Sequence, residues 1–315
     1  MQPFFQERGS SMKQGKLKAR GRLGTGAMYH MMMLPGILFL LVFSYIPMVG
    51  VITAFQDYVP AKGMFGSEFV GLKHFIYMFK LPDIAQVISN TLVIAIAKIL
   101  LGTLMAIIFS VLLNEIRIKY VKKSVQTIVY LPHFLSWVVL ASVVVNMFSL
   151  DGIVNQMLAF FGLDHINFLG SNTWFQPLII GTDVWKEFGY SSIVYLAAIT
   201  SIDPGLYEAA GMDGASWWRK VWHITLPGML PIILLMGVMS LTNILSAGFD
   251  QIYNLYNPVV YETGDILDTY VYRIGLVGRQ YSFGTAVGLF KSVIGIVLLL
   301  SANQLAKKYT DRKIF

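Results

Sequence analysis

The sequence of 315 residues is 56% apolar and 13% charged, with a formal net charge of +7 and a mean hydropathy of +0.62. Soluble domains carry about 25% charged residues, and a soluble core of this size has no room for so much apolar side chain. A soluble enzyme or binding module is thereby excluded, and an integral membrane protein is indicated.

Cysteine is absent, which removes disulfides, thiol nucleophiles and Cys-ligated metals. His30, His74, His133, His165 and His223 stand far apart in the sequence, so no metal site and no cofactor are expected in this chain.

A membrane-crossing helix needs about 20 mostly apolar residues. The chain opens on a basic stretch, residues 1–30, carrying Arg8, Lys13, Lys16, Lys18, Arg20 and Arg22. The apolar run that follows, 31–55, is too long for a secretory signal and lacks a small-x-small cleavage pattern, so it reads as an uncleaved first span. Residues 56–88 form an external segment. A five-helix core, 89–306, holds spans at 89–113, 127–148, 177–202, 230–249 and 284–306. Residues 307–315 form a second basic tail. The expected fold is all-α and polytopic, with six transmembrane helices, of which the fourth is interrupted by Asp183, Lys186 and Glu187.

Parity fixes the sides. With a cytoplasmic N-terminus, sixteen Lys and Arg fall inside, five fall outside and three lie within spans. This is the positive-inside pattern, and it accounts for the basic balance without nucleic acid. Without the fourth span, Lys307 and Lys308 would lie outside, so both ends are expected to be cytoplasmic. The external segments 56–88, 151–176 and 250–283 carry five basic and nine acidic residues. They read either as a receiving surface for a partner or as solvated caps.

The cytoplasmic loop 203–229 reads DPGLYEAAGMDGASWWRKVWHITLPGM. Asp203 followed by Pro204 is a strong helix start. A short helix should run through Leu206, Glu208 and Ala210, with Gly211 and Gly214 permitting a sharp turn. A second helix beginning near Ala215 puts Trp218, Val221, Trp222 and Thr225 on one face, and Leu226 and Pro227 should end it. As a pattern, the loop is either an anchor in the headgroup layer or a small Ala-Ala-Gly surface open to a partner.

Glu208-Ala209-Ala210, Gly214, Ile224 and Leu226-Pro227 fit EAA-x3-G-x9-I-x-LP. This motif resembles that of the permease subunits of binding-protein-dependent ABC importers. LPGILFLLVFSYIPM (34–48) and TAVGLFKSV (285–293) are similar to carbohydrate-type permeases of Gram-positive bacteria, most of all those for complex or acidic oligo- and polysaccharides. The resemblance implies a MetI-like, type I importer fold in the bacterial cytoplasmic membrane. It also implies that Glu208, Ala209, Ala210, Gly211 and Gly214, with Asp213 and Ala215 beside them, form a coupling helix seated on an ATPase. The implied partners are a second permease subunit, a dimer of ATPase subunits, an extracytoplasmic substrate-binding protein and a carbohydrate.

ATP and Mg would be bound by the ATPase, because this chain lacks a phosphate loop. The nearest match, Gly9 to Leu17, has one residue too many and Leu where Ser or Thr is needed. A secondary transporter or channel not driven by ATP is the alternative, and it leaves the EAA loop without a purpose. Nothing in the sequence forms a catalytic site.

Asp183, Lys186, Glu187 and Tyr190 share one helical face by spacing. They either pair among themselves, Lys186 with Asp183, or line a wet cavity for a hydroxyl-rich substrate. Asn243, Ser246, Asp250 and Gln251 are further pathway candidates at the outer half of the fifth span, and Trp185 and Tyr190 are candidates for stacking on sugar rings. Lys98 and Lys291 read as snorkelling or helix-pairing bases. The small-residue stripes Gly102/Ala106/Ser110 and Gly284/Gly288/Ser292 read as packing seams.

Overall fold

The computed structural model describes residues 25–241 and 244–310, which are helical almost throughout. The chain divides after Gly50 into two compact units. In the first unit, the described residues form an apolar helix from Thr25 that carries Pro35 and widens at Leu41–Tyr45. Five stretches are long and apolar enough to cross a membrane: α1 (Gly26–Phe55), Pro82–Glu115, Trp137–Phe160, Trp217–Leu241 and Tyr281–Ser301. The predicted fourth window, 177–202, coincides with another helix, Asn172–Thr200, but overruns its end by two residues; that helix has the length but is not among the five.

In the second unit the chain first makes a two-residue antiparallel pair, β1 (Gln56–Asp57) with β2 (Glu68–Phe69), in the register Gln56 to Phe69. A short helix α2 (Lys73–Lys80) follows. Lys73 Nζ lies 2.5 Å from Asp57, and His74 Nε2 lies 3.1 Å from the same carboxylate. The Lys73 hydrogen bond holds the Asp57 carboxyl below the usual carboxylate range. The contribution is therefore present above that ordinary value and is lost as pH falls through the depressed one.

The long helix α3 (Pro82–Glu115) begins with Pro82 in the first turn, where a missing N–H costs nothing. It packs along its length against the Asn172–Thr200 helix. Ile94, Ile179, Ile252, Leu267 and Phe175 make the larger apolar core. Ala106, Tyr195, Ile199, Val221 and Met229 make a second.

The third predicted span is not one helix. The chain forms α4 (Lys119–Tyr130), a tight turn at Leu131–Phe134, an extended step, and then α5 (Trp137–Phe148). Pro132 cannot donate its backbone nitrogen, and Ser136 caps the new helix by accepting from Val139 N–H at 3.4 Å. A pause at 149–152 leads into α6 (Ile153–Phe160). The Asn172–Thr200 helix is α7.

After α7 come α8 (Pro204–Met212) and α9 (Trp217–Leu241). Leu226 and Pro227 do not end α9 as expected. The turn Val221–Thr225 is widened, with Leu226 N–H donating to Val221 O, and that slack accommodates the proline ring. The fifth span also stops earlier than predicted. Ala247 (φ 21°) and Gly248 (φ 95°) reverse the chain, and α10 (Phe249–Leu255) departs from the reversal.

Short helices α11 (Tyr261–Gly264) and α12 (Leu267–Tyr270) follow, α12 continuing as a wide turn Val271–Val277. The last helix is α13 (Tyr281–Thr310). The Gly284 stripe packs as expected at its first position. A Cβ on Gly284 would lie 2.7 Å from the Cα of Gly275, and one on Gly275 would lie 2.9 Å from the Cα of Gly284.

Gly284→Ala should therefore destabilise the protein by about 1–3 kcal/mol. Gly288→Ala, where an added Cβ meets nothing within 4 Å, should be close to neutral. Thermal unfolding of the two variants in the same detergent checks this.

Candidate functional site

The motif residues lie on a sharply bounded helix. Asp203 accepts a hydrogen bond from Gly205 N–H at 2.9 Å, and Pro204 occupies the first helical position, so α8 starts where the sequence predicts. At its other end Ala215 N–H donates to Ala210 O at 2.9 Å, and Gly214 N–H donates to Gly211 O at 3.1 Å. Gly214 makes the turn with φ +70°, a conformation that a side chain disfavours. Gly211 is helical, so the reversal belongs to Gly214 alone. The second helix starts at Trp217, after Ser216 in the N-cap position.

None of the nine residues of α8 is buried. Glu208, Ala209, Gly211, Asp213 and Gly214 are exposed, Ala210 and Ala215 are partly so, and Met212 is 90% exposed. The helix is tied to α9 by few bonds. The Tyr207 and Thr225 hydroxyls share a 3.0 Å hydrogen bond. The Lys220 ammonium sits beside Gly211, 3.3 Å from where a Cβ would stand. Trp218 and Trp222 remain exposed on α9. The result is a preformed polar-and-small surface with an apolar fringe from Leu206 and Met212, supported by a helix that continues for 25 residues.

The polar residues of α7 come together, but not as the spacing predicts. Lys186 does not pair with Asp183. Lys98 on α3 takes Asp183, at 3.3 Å, and also donates to Ala247 O at 2.8 Å and to Gln251 Oε1. Gln251 in turn donates to Ile179 O at 2.7 Å and Thr182 Oγ1 at 2.9 Å. Lys186 turns the other way, donating to Glu187 at 2.7 Å and to His133 O at 2.9 Å. That carbonyl is available because the backbone breaks between α4 and α5. His133 Nδ1 lies 2.7 Å from Glu187 Oε2, and its ring stacks on Tyr190 with centroids 3.9 Å apart.

Asp183 and Glu187 thus line one side of a polar cleft of about 130 Å³, with Lys98, Gly102 and Thr103 from α3, Ser191 from α7, and Met236 and Ser240 from α9. Tyr190 stands apart from the cleft, on His133. Trp185 faces a separate apolar pocket of about 430 Å³ with Phe168 and Trp174.

Ser246 lies apart from this cluster, 3.3 Å from Lys291 Nζ, which pairs with Asp268 at 2.5 Å. Asp250 is exposed, with its backbone carbonyl accepting from Asn254. Asn243 lies outside the described residues. Sequence reasoning read Lys98 as a pairing base but missed that Gln251 and Ala247 complete its shell. It also missed His133, for which Pro132 and Ser136 were the available signal of a broken helix.

Residues 99–311 match the family described as binding-protein-dependent transport system inner membrane component. Over 287 residues the chain is 45% identical to the polygalacturonan/rhamnogalacturonan transport system permease protein YteP of Bacillus subtilis (strain 168), covering 91% of this chain and 89% of that protein. Protein LplB of the same organism is 40% identical over 287 residues, covering 91% and 90%. Among solved structures, the chain is similar to one of a bacterial alginate ABC transporter in complex with alginate pentasaccharide-bound periplasmic protein. The TM-score is 0.84 at 42% identity, covering 91% of this chain and 96% of that one. The EAA residues all fall inside the family match.

Lys98→Met alone leaves Asp183 without its ammonium and should cost about 3–5 kcal/mol. Adding Asp183→Leu should restore much of that loss. Thermal unfolding of the single and double variants measures the coupling, and strict additivity of the two losses would contradict the pairing.

Proposed function

Since the chain belongs to the family of binding-protein-dependent transport system inner membrane components, we propose that it forms one half of the translocation pathway of an ATP-driven importer for an oligo- or polysaccharide. The saccharide class is supported by a relative named for polygalacturonan/rhamnogalacturonan transport and by a similar transporter solved with an alginate pentasaccharide-bound periplasmic protein. On this reading a second permease chain completes the path, an extracytoplasmic binding protein delivers the substrate, and a dimer of ATPase subunits holds the ATP and Mg. This chain supplies no chemistry of its own.

The observation that carries the reading is α8. A nine-residue helix with no buried residue, fixed at both ends and leading directly into a membrane-length helix, is built to be held by another protein. We assign Glu208, Ala209, Ala210, Gly211, Asp213, Gly214 and Ala215 to the ATPase contact. The small side chains permit close approach, and the Glu208 carboxylate offers one charge-assisted pair. In this reading α7 is the fourth of six spans, both tails are cytoplasmic, and the core 89–306, which follows the first span 31–55 in the chain, carries the path. Asp183 and Glu187 edge that path, Lys186 and Tyr190 reach it through Glu187 and His133, and Asn243, Ser246 and Asp250 are assigned toward its outer end.

Gly214→Asp places a side chain at φ +70° and a charge on the docking face. In liposomes containing the full complex, ATP hydrolysis stimulated by the loaded binding protein should fall about tenfold or more, the loss of one charge-assisted contact or its equivalent. Saccharide uptake should fall with it. Unchanged stimulation and unchanged uptake would refute the assignment.

A further inference from the structure

Where residues 56–77 approach the start of α13, a cleft of about 470 Å³ opens, within the size range of small-molecule sites. Its lining includes Asp57, Tyr58, Lys73, Tyr77, Arg279 and Tyr281. The aromatic walls are braced edge to face, Tyr58 on Tyr281 at 6.1 Å and Tyr77 on Phe283 at 5.6 Å. Tyr58 N–H donates to Ser282 Oγ at 2.9 Å, which pins the two sides of the cleft together.

The charges in the cleft do not cancel. Asp57 is taken by Lys73 at 2.5 Å. Arg279 is left over: among the described residues its guanidinium makes no ion pair or side-chain hydrogen bond, and it is exposed. The backbone holds it in the left-handed region, φ 55°, where Gly or Asn sits more easily. The turn itself closes the preceding helix, with Gln280 N–H donating to Ile274 O at 3.3 Å, and it requires no long cation at this position. The hydroxyls of Tyr58, Tyr77 and Tyr281 are also without a hydrogen bond among the described residues.

We propose that this cleft is an entry site for one uronate unit of an anionic oligosaccharide, which rests on the reading above that the chain carries a saccharide. The Arg279 fork matches a carboxylate in a bidentate pair. The tyrosine rings offer flat apolar faces to the sugar ring, and their hydroxyls meet its hydroxyls. An acidic side chain of the delivering protein would use the fork but would leave the three phenols idle, so the saccharide fits the whole lining better.

The test is uptake by the full complex in liposomes, comparing trigalacturonate with its carboxyl-reduced neutral counterpart. Arg279→Gln should raise the half-saturating concentration of the acidic trimer about tenfold, one charge-assisted pair's worth, and leave the neutral trimer unchanged. Arg279→Gly, which suits the local φ, should give the same selective loss and so exclude misfolding as its cause. Tyr77→Ala should weaken both sugars.

No shift, or an equal shift for both sugars in the Arg279 variants, would overturn the site while leaving the transport reading intact. Weaker capture of the sugar-free binding protein by Arg279→Gln, matching the loss in uptake, would assign the fork to that protein instead and also overturn the site. Failure of the unmodified complex to take up either trimer would overturn both the site and the saccharide reading beneath it.

Discussion

A charge buried among apolar helices must find its partners inside the protein, as Lys98 and Lys186 do, and much of this architecture follows from where those partners come from. On insertion scales, an ionised side chain at mid-bilayer costs about 2.5–3.5 kcal/mol. Lys98 and Lys186 each meet a carboxylate, but each also takes a backbone carbonyl released where a helix is interrupted. For Lys98 that carbonyl is Ala247, at the left-handed reversal before α10. For Lys186 it is His133, in the break between α4 and α5. Irregular backbone is tolerated among spans only where protein or a wet cavity satisfies it. The ammonium groups and the broken helices are therefore one arrangement: each supplies what the other lacks.

This arrangement also ties together elements distant in sequence. Gln251 and Thr182 extend the Lys98 shell from α3 to α7 and α10, and Lys291 joins α13 to Asp268. Against this bonded centre, α8 stands out for its lack of attachment. The Tyr207–Thr225 hydrogen bond links it to α9, and α9 continues to Leu241, with Met236 and Ser240 reaching the polar cleft. Movement imposed on α8 thus has a short mechanical route to the residues that edge the proposed path.

Much of this was legible in the sequence because it depends on local rules. The start of α8 follows from Asp203 and Pro204, its end from Gly214, and the apolar windows from length and hydropathy alone. The departures have local causes whose outcomes depend on tertiary context. Pro227 is absorbed by a widened turn at Val221–Thr225, whereas Pro132 accompanies a real break. Both prolines sit in apolar runs, and the sequence does not distinguish them. Helical spacing put Lys186 and Asp183 on one face, but the competing partners lie elsewhere, Lys98 on α3 and His133 in the break between α4 and α5, and no spacing rule names them. The cleft around Arg279 joins two segments some 200 residues apart and left no sequence signal beyond its tyrosines.

The central claim is that the helix around Ala210 lies on the cytoplasmic side and is held by an ATPase. The chain has no cysteine, so Ala210→Cys provides a single thiol at that point. Its reaction with a membrane-impermeant maleimide can be compared in inside-out and right-side-out vesicles, with and without the ATPase subunits. The account predicts labelling only in inside-out vesicles, and protection once the ATPase is bound. Labelling from the outer face, or labelling indifferent to the ATPase, would contradict it.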